Sequence, residues 1–474
     1  MGQKFLVLQE VFRISAVAAG GVLRWQRGNV RDTVLRISSA QISRPLLLWG
    51  CVGFLLTAFA YKRYILDTET RFLTGTFTEA GAIAFFVSDF FFAFMLVLWL
   101  WQGSWRRAPS GFLFFFLAAL AVWSVLRASF SDIPLLGLYH AGRLIQGILL
   151  LFMTADIVRR GVGTRLLLST LVILGVSQAL LGGYQVLRGT SVGIQLLGEP
   201  VLRLQMPGVA KVDLPSGEKL LRAYGTLPHP NVLGGLLVAT IVATGVLQGI
   251  LASGRKVLLP VLIGVQIAGL FLTFSRSALA SLLTLVLFYF ILRYKKVKSQ
   301  VLLLLFVLVP VLLSSVPSVR SAFLSRVVPP ETDQFLSERI RALGEAWLIF
   351  REHPVVGVGP GQLIPALTKR VPVGTRFEPW QYEYPHVVPM VIATELGVIG
   401  FALVVLIWLS LAWSARFHPG VFWGISLSLV FPLLFDHYLW TIQPGRILLW
   451  GAFGVLQGLI LAHSLRNHSE EIAQ

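Results

Sequence analysis

Leu270-Phe-Leu-Thr-Phe-Ser-Arg-Ser-Ala-Leu-Ala280 lies inside an apolar run from about Val257 to Ile291 whose single charge is Arg276. As one helix rising about 1.5 Å per residue, that run would be far longer than a hydrocarbon core of roughly 30 Å. It therefore divides into two spans joined by a tight turn at Thr273–Ser277. Arg276 then falls at or just under the membrane surface, with serine or threonine on either side to hydrogen-bond it. A guanidinium at that depth is costly, needs an anionic partner, and so marks a site. Taken alone, it also fits an arginine snorkelling to the headgroups.

The rest of the chain repeats the pattern. Of its 474 residues, 55% are hydrophobic and 13% charged, with a mean hydropathy of +0.76. A soluble protein of this size cannot hide so much apolar sequence, and the apolar residues come in blocks near the length of a bilayer span. The fold class is an all-α polytopic membrane protein. Candidate spans run at about 46–61, 80–101, 111–127, 141–158, 166–187, 231–252, 257–273, 277–292, 300–318, 387–413, 420–437 and 447–463. That makes about twelve transmembrane helices, so both termini share a side.

The formal charge of +18 would suggest nucleic acid in a soluble protein. Here cytoplasmic loops explain most of it, and no nucleic-acid partner is expected. With the N-terminus inside, Arg106-Arg107, Arg159-Arg160-Arg165, Arg255-Lys256, Arg293/Lys295/Lys296/Lys298, Arg416 and Arg466 all fall in the cytoplasm. Residues 1–45 carry seven basic and two acidic side chains and read as a cytoplasmic arm held to anionic lipid of the bilayer. Residues 1–20 do not read as a secretory signal, because Gln9, Glu10 and Arg13 interrupt the apolar stretch. The lone Cys51 leaves no disulfide framework and no cysteine metal site.

The expected organisation is an N-terminal arm at 1–45, a bundle at 46–187, an outward loop at 188–230, and central helices at 231–318. A larger outward loop at 319–386, C-terminal helices at 387–465 and a cytoplasmic tail at 466–474 complete it. In the first loop, alternating segments Val209–Leu214 and Lys219–Thr226 read as a β-hairpin around Pro215-Ser-Gly217. In the second, Ser337 can cap an amphipathic helix from Glu338 to about Glu352, with Ile340, Leu343, Trp347 and Phe350 on one stripe. That stripe suits either the bilayer surface or a packed loop helix.

Three outward pieces carry the polar chemistry: Arg222-Ala-Tyr-Gly-Thr-Leu-Pro-His-Pro-Asn231, Thr273-Phe-Ser-Arg276, and His386 after Tyr382-Glu-Tyr-Pro385. Two arginines at one level could bind a pyrophosphate bidentately. A neutral histidine beside them could take a proton from an acceptor hydroxyl. Transfer from a diphosphate leaving group would then need neither metal nor cofactor, if the arginines hold the leaving charge. Each residue has a plainer reading too: Arg222 flanking a hairpin, His386 as an interfacial ring, His229 fixing a turn, Asn231 capping the next helix. Glu395, a little over two turns into its span, could counter a buried arginine or serve a proton path. Asp-x-Asp pairs, a Walker loop and Gly-x-Gly-x-x-Gly are missing from the sequence.

Several stretches in order resemble the O-antigen ligase/polymerase superfamily. They are Arg222-x-x-Gly225-Thr-x-x-His-Pro-Asn231, Thr273-x-Ser-Arg276-Ser-Ala and Arg341-x-x-x-x-Ala346-Trp-x-x-Phe-x-x-x-Pro354-x-x-Gly357-Val-Gly359, followed by His386 and Glu395-x-Gly397-x-x-Gly400. The resemblance covers roughly 220–405, and the ordered set is more specific than any one piece. It implies a membrane glycosyltransferase of the C type, metal-independent and inverting, in the bacterial inner membrane with its active site facing the periplasm or cell exterior. Its donor would be an undecaprenyl-pyrophosphate-linked glycan, and its acceptor a hydroxyl on a glycan, lipid or protein. Carried over by position, Arg222 and Arg276 would bind pyrophosphate and His386 would be catalytic, with Ser275, Asn231, Tyr384 and Glu395 supporting. The long basic arm departs from the core pattern, and Tyr382–Pro385 matches no family motif. A polymerase is the alternative within the superfamily, and a small-anion (inorganic carbon) transporter the alternative from another class. A transporter should gather its polar residues near the midplane, whereas these gather at the outer surface.

The topology is testable directly. Single cysteines at Ser216 and Thr332 should react with an impermeant thiol reagent in intact cells, and protection of either would overturn the span count.

Overall fold

In hydrocarbon, every backbone amide and carbonyl must find its partner inside the protein, and apolar blocks meet that demand as helices. The computed structural model describes residues 45–66, 82–107, 111–161, 163–214, 216–251, 258–293, 297–327, 334–370, 383–416 and 419–473. The expected basic arm lies outside these residues, as do 328–333 and 371–382 of the expected larger loop. The chain opens with α1 (Pro45–Ala58), then β1 (Arg63–Ile65), β2 (Ala84–Phe86), α2 (Val87–Trp101), α3 (Phe112–Ser129), α4 (Pro134–Arg160) and α5 (Thr164–Arg188). A hairpin follows, β3 (Lys211–Asp213) with β4 (Lys219–Leu221), and then α6 (Pro230–Ile250), α7 (Leu258–Leu272), α8 (Arg276–Arg293) and α9 (Val297–Leu313). The last third holds α10 (Pro317–Val327), α11 (Gln334–Glu352), α12 (Leu363–Arg370), α13 (Val388–Ser414), α14 (Pro419–Phe435), α15 (Tyr438–Thr441) and α16 (Gln443–Ala473).

Among the described residues, six helices (α3, α4, α5, α6, α13 and α16) are long and apolar enough to cross a membrane, seven if the pair α9–α10 counts as one broken span. Five shorter apolar helices, α1, α2, α7, α8 and α14, accompany them. The expected straight span at 300–318 is bent by 111° before Pro317. Pro317 opens the second helix and disfavours the α conformation in the residue before it, and the hydroxyls of Ser314 and Ser315 turn back to the Val311 and Leu312 carbonyls at the end of the first. The helix expected from Ser337 begins a turn earlier, at Gln334. The hairpin strands pair antiparallel over three residues each, Lys211 opposite Leu221 and Asp213 opposite Lys219, shorter than the alternation suggested.

The most extensive helix pair is α4 with α16. Small residues four apart allow it: a side chain at Gly454 or Gly458 would strike the Leu151 or Ala155 carbonyl, the close approach that small residues permit between membrane helices. Arg143 on α4 holds Asp89 on α2 through two bonds of 2.6 and 2.8 Å and donates to the Ala84 carbonyl at 2.6 Å. This bidentate pair pins the β1–β2 hairpin to the bundle.

The feature that positions the site is a break in α13. Gly397 has φ +69° and ψ −175°, a conformation close to glycine-only. The segment Pro354–Gly359 fits into that break. Val358 and Gly359 donate to the Thr394 and Glu395 carbonyls at 3.0 and 2.8 Å, and Val398 donates to the Pro354 carbonyl at 2.9 Å. Trp123 on α3 donates to the Leu396 carbonyl at 2.9 Å, and Arg127 to the Val356 and Gly357 carbonyls. A Cβ on Gly397 would lie 2.1 Å from the Val355 carbonyl oxygen. Gly397→Ala should therefore lower the unfolding temperature of the purified chain, with about 1–3 kcal/mol lost to backbone strain before any clash. An unchanged midpoint would mean that the break does not need glycine.

Candidate functional site

Arg222 leaves β4 and turns inward, where it is buried. Ala223 donates its amide to the Leu272 carbonyl at 2.9 Å, which sets this segment against the α7–α8 turn. Arg222 Nε donates to the Thr273 carbonyl at 2.7 Å, and Nη2 to Asn231 Oδ1 at 2.7 Å. Asn231 Nδ2 donates to Asp436 Oδ2 at 2.5 Å. The other Asp436 oxygen accepts the amides of His437 at 2.7 Å and Tyr438 at 3.3 Å. A buried Arg–Asn–Asp bridge thus joins the hairpin, the α7–α8 turn, the start of α6 and the end of α14.

The α7–α8 turn is tight, as the sequence indicates, and it is strained. Phe274 takes φ +49°, a left-handed conformation uncommon for a bulky side chain and frequent at functional turns. Its ring is buried against Val212, Leu214 and Ala322. Two expectations are corrected here. The serines flanking Arg276 face each other at 3.4 Å rather than the guanidinium, and Ser275 is buried. Arg276 itself is exposed at the first position of α8 and makes no ion pair or side-chain hydrogen bond among the described residues. Asn231 does not cap α6 with its side chain. His229 does, accepting the Asn231 amide on Nδ1 at 3.2 Å, and so frees the Asn231 amide group for the bridge.

His386 and Tyr384 gather on His437. The His386 and His437 rings meet edge to face at 5.2 Å between centroids, and the Tyr384 ring lies 5.5 Å away on another side. His437 Nδ1 is 2.6 Å from the Thr441 hydroxyl. His386 Nδ1 is buried and has no hydrogen-bond partner among the described residues. Burial, with His437 and the Arg339 guanidinium, lowers the His386 pKa. Burial lowers His437 as well, so both rings favour the neutral form at neutral pH. Burial alone would raise the Asp436 carboxyl. Coupling to the imidazoles of His437, His386 and His229 and the hydrogen bond from the Asn231 amide outweigh it and set Asp436 below the ordinary carboxyl value.

Glu395 is buried in α13 just before the break, faced by the Gly361 and Leu363 amides and the Tyr384 hydroxyl. The structure therefore brings together Arg222, Asn231, Tyr384, His386 and Glu395 around Asp436 and His437. Ser275 and Arg276 stay on the neighbouring turn. Asp436, His437 and Arg339 did not emerge from the sequence. The first two close an apolar block that reads as a span, and an adjacent Asp-His at the end of such a block is the signal that could have found them.

Residues 260–405 match the family model described as O-Antigen ligase. The chain carries an O-antigen ligase domain. The match, with the helices apolar enough to cross a membrane, supports a multi-pass membrane protein similar to the O-antigen ligase superfamily, a family of glycosyltransferase-like enzymes that implies a lipid-linked glycan donor. No curated protein matches the chain. The matched region contains Arg276, His386, Glu395 and the α13 break, but not Arg222, Asn231, Asp436 or His437.

The bridge has a measurable weight. Asn231→Leu keeps most of the volume but leaves Arg222 Nη2 and Asp436 Oδ2 without their shared amide, and should cost about 1–3 kcal/mol in thermal unfolding of the purified chain. An unchanged midpoint would show that the bridge is incidental.

Proposed function

We propose that this protein transfers a glycan from an undecaprenyl-pyrophosphate-linked donor to an acceptor hydroxyl. The reaction inverts the anomeric centre and uses arginines where other transferases use a metal. The site faces the periplasm of a bacterial inner membrane crossed by about twelve helices, with the shorter apolar helices counted as spans. The observation that carries this reading is the convergence of a buried Arg–Asn–Asp bridge with two histidines that favour the neutral form, beside an exposed arginine at a helix start.

In this chemistry Arg276, presented at the N-terminus of α8, takes the pyrophosphate with help from the first amides of the helix. Arg222, reaching the turn from the end of β4, adds its charge there while fixing the shape of the turn through the Thr273 carbonyl. His386 Nδ1 accepts the proton of the acceptor hydroxyl. The hydroxyl oxygen bonds to the anomeric carbon from the face opposite the leaving group. The bond to the pyrophosphate oxygen breaks, and its electron pair leaves with undecaprenyl pyrophosphate, whose charge the arginines hold.

A lipid-borne acceptor is supported by α11. Its buried face is Ala342, Ala346 and Ile349, while Ile340, Leu343 and Trp347 are exposed. The same helix brings the charge of Arg339 to bear on His386 and His437. An exposed apolar stripe beside the base favours a ligase-type acceptor anchored in the bilayer over a wholly soluble one.

His386→Ala should retain donor binding but lose most transfer, roughly 10²–10⁴-fold for removal of a general base. Arg276→Lys should weaken donor binding, because the fork is lost although the charge remains. Unchanged transfer in the first variant, or unchanged donor affinity in the second, would remove that residue from its role. The sign of the pH dependence also follows. A ring with a lowered pKa stays neutral as pH falls through the ordinary imidazole range, so the acid limb of transfer should lie below that range. Loss of transfer at or above the ordinary imidazole value would contradict His386 as the base.

A further inference from the structure

Next to the histidine cluster lies a cavity of about 30 Å³, bounded by Ser124, His140, Tyr384, Glu395, Thr441 and Arg446 among others. Two of its walls are ionisable and buried, Glu395 at 5% exposure and Arg446 at 9%. Arg446 Nη2 donates to the Thr441 carbonyl at 2.9 Å. Arg446 Nε and Glu395 Oε1 are buried without a hydrogen-bond partner among the described residues. The Arg446 charge acts on Glu395 without ion-pair contact, since none within 4.0 Å joins them.

Two buried charges of opposite sign that do not touch would each be costly alone. The neighbouring Arg143 is already engaged by Asp89, which leaves Glu395 to balance Arg446. The cavity exceeds the roughly 10–15 Å³ that one water needs, and a carboxylate oxygen, a guanidinium N–H, and the hydroxyls of Tyr384 and Thr441 supply polar partners. Glu395 is fixed by the backbone of the α13 break, and Tyr384 connects it to the histidines by resting its ring on His437.

We infer that this cavity holds a bound water joining Glu395 to Arg446, and that the water-linked pair positions Tyr384 against His437 for the transfer step. The inference rests on the transferase reading proposed above, gives the supporting Glu395 a physical role, and adds Arg446, neither of which touches the reacting atoms. Glu395 is then a positioning residue and Arg446 its buried counter-charge.

The test uses the full chain, purified, with Glu395→Gln, Arg446→Met, the double variant and Tyr384→Phe. Each single charge removal should lower the unfolding temperature by stranding the other charge. The double should recover part of that loss. Strictly additive losses would overturn the pairing. In transfer assays, Glu395→Gln and Tyr384→Phe should each lower kcat by about 10²-fold, as misplacement does, with donor KM unchanged. Combining the two should give no further fall. A multiplicative fall, or a raised KM at unchanged kcat, would overturn the positioning role. A high-resolution structure showing the cavity dry would overturn the bridging water. Should the wild-type chain transfer no glycan, the transferase reading fails, while the thermal coupling still decides whether Glu395 and Arg446 are paired.

Discussion

A helix broken inside an apolar bundle leaves carbonyls and amides that no water can reach, and each must be met from within the protein. At Gly397 that requirement is met without remainder. The carbonyls of Thr394, Glu395 and Leu396 receive Val358, Gly359 and Trp123, and the freed amide of Val398 reaches Pro354. The segment after α11 is therefore part of the bundle, and Arg127 fixes its outer carbonyls from α3. Because Glu395 lies beside the break, its depth and orientation are set by backbone bonds. A side chain held this way keeps its geometry at little entropic cost, as a site built on rigid elements requires.

The other fixed point is the Arg222–Asn231–Asp436 bridge. An arginine and an aspartate could have met directly. The amide between them instead keeps both buried charges hydrogen-bonded while leaving Asp436 free to receive two backbone amides and to sit among three imidazoles. The strain at Phe274 belongs to the same arrangement. Its left-handed backbone turns the chain sharply enough to bury Thr273 and Ser275 while leaving Arg276 exposed. One arginine shapes the turn, and the other is offered at its edge.

Much of this was legible in the residues. The length of the apolar blocks read as a helical membrane protein, and a run longer than the bilayer with one arginine inside it located the α7–α8 turn. The order of glycine- and arginine-bearing motifs pointed to the superfamily. Partnerships were less legible, because they depend on contacts across the chain. Asn231 looked like a helix cap because caps are local, whereas its partner Asp436 is 205 residues away. Asp436 and His437 were absorbed into a span because hydropathy averages over a window. The α9–α10 bend escaped because Ser314 and Ser315 are individually compatible with a membrane helix, and a hydropathy window runs across the Pro317 that opens the second helix.

The reach of that bridge bears on how members of such a family could exchange parts. The stretch 260–405 recognised as the ligase domain holds the exposed arginine, His386 and the glycine break, and would look like a transplantable cassette. The groups it touches are supplied by both flanks: Arg222 and Asn231 from the amino side, Asp436 and His437 from the carboxyl side. A chimera cut at the borders of the recognised stretch would join a turn shaped for one arginine to a bridge built in another protein. Recombination that keeps this bridge whole must therefore cut upstream of β4 and downstream of α15. The heritable unit is accordingly wider than the one that sequence likeness outlines.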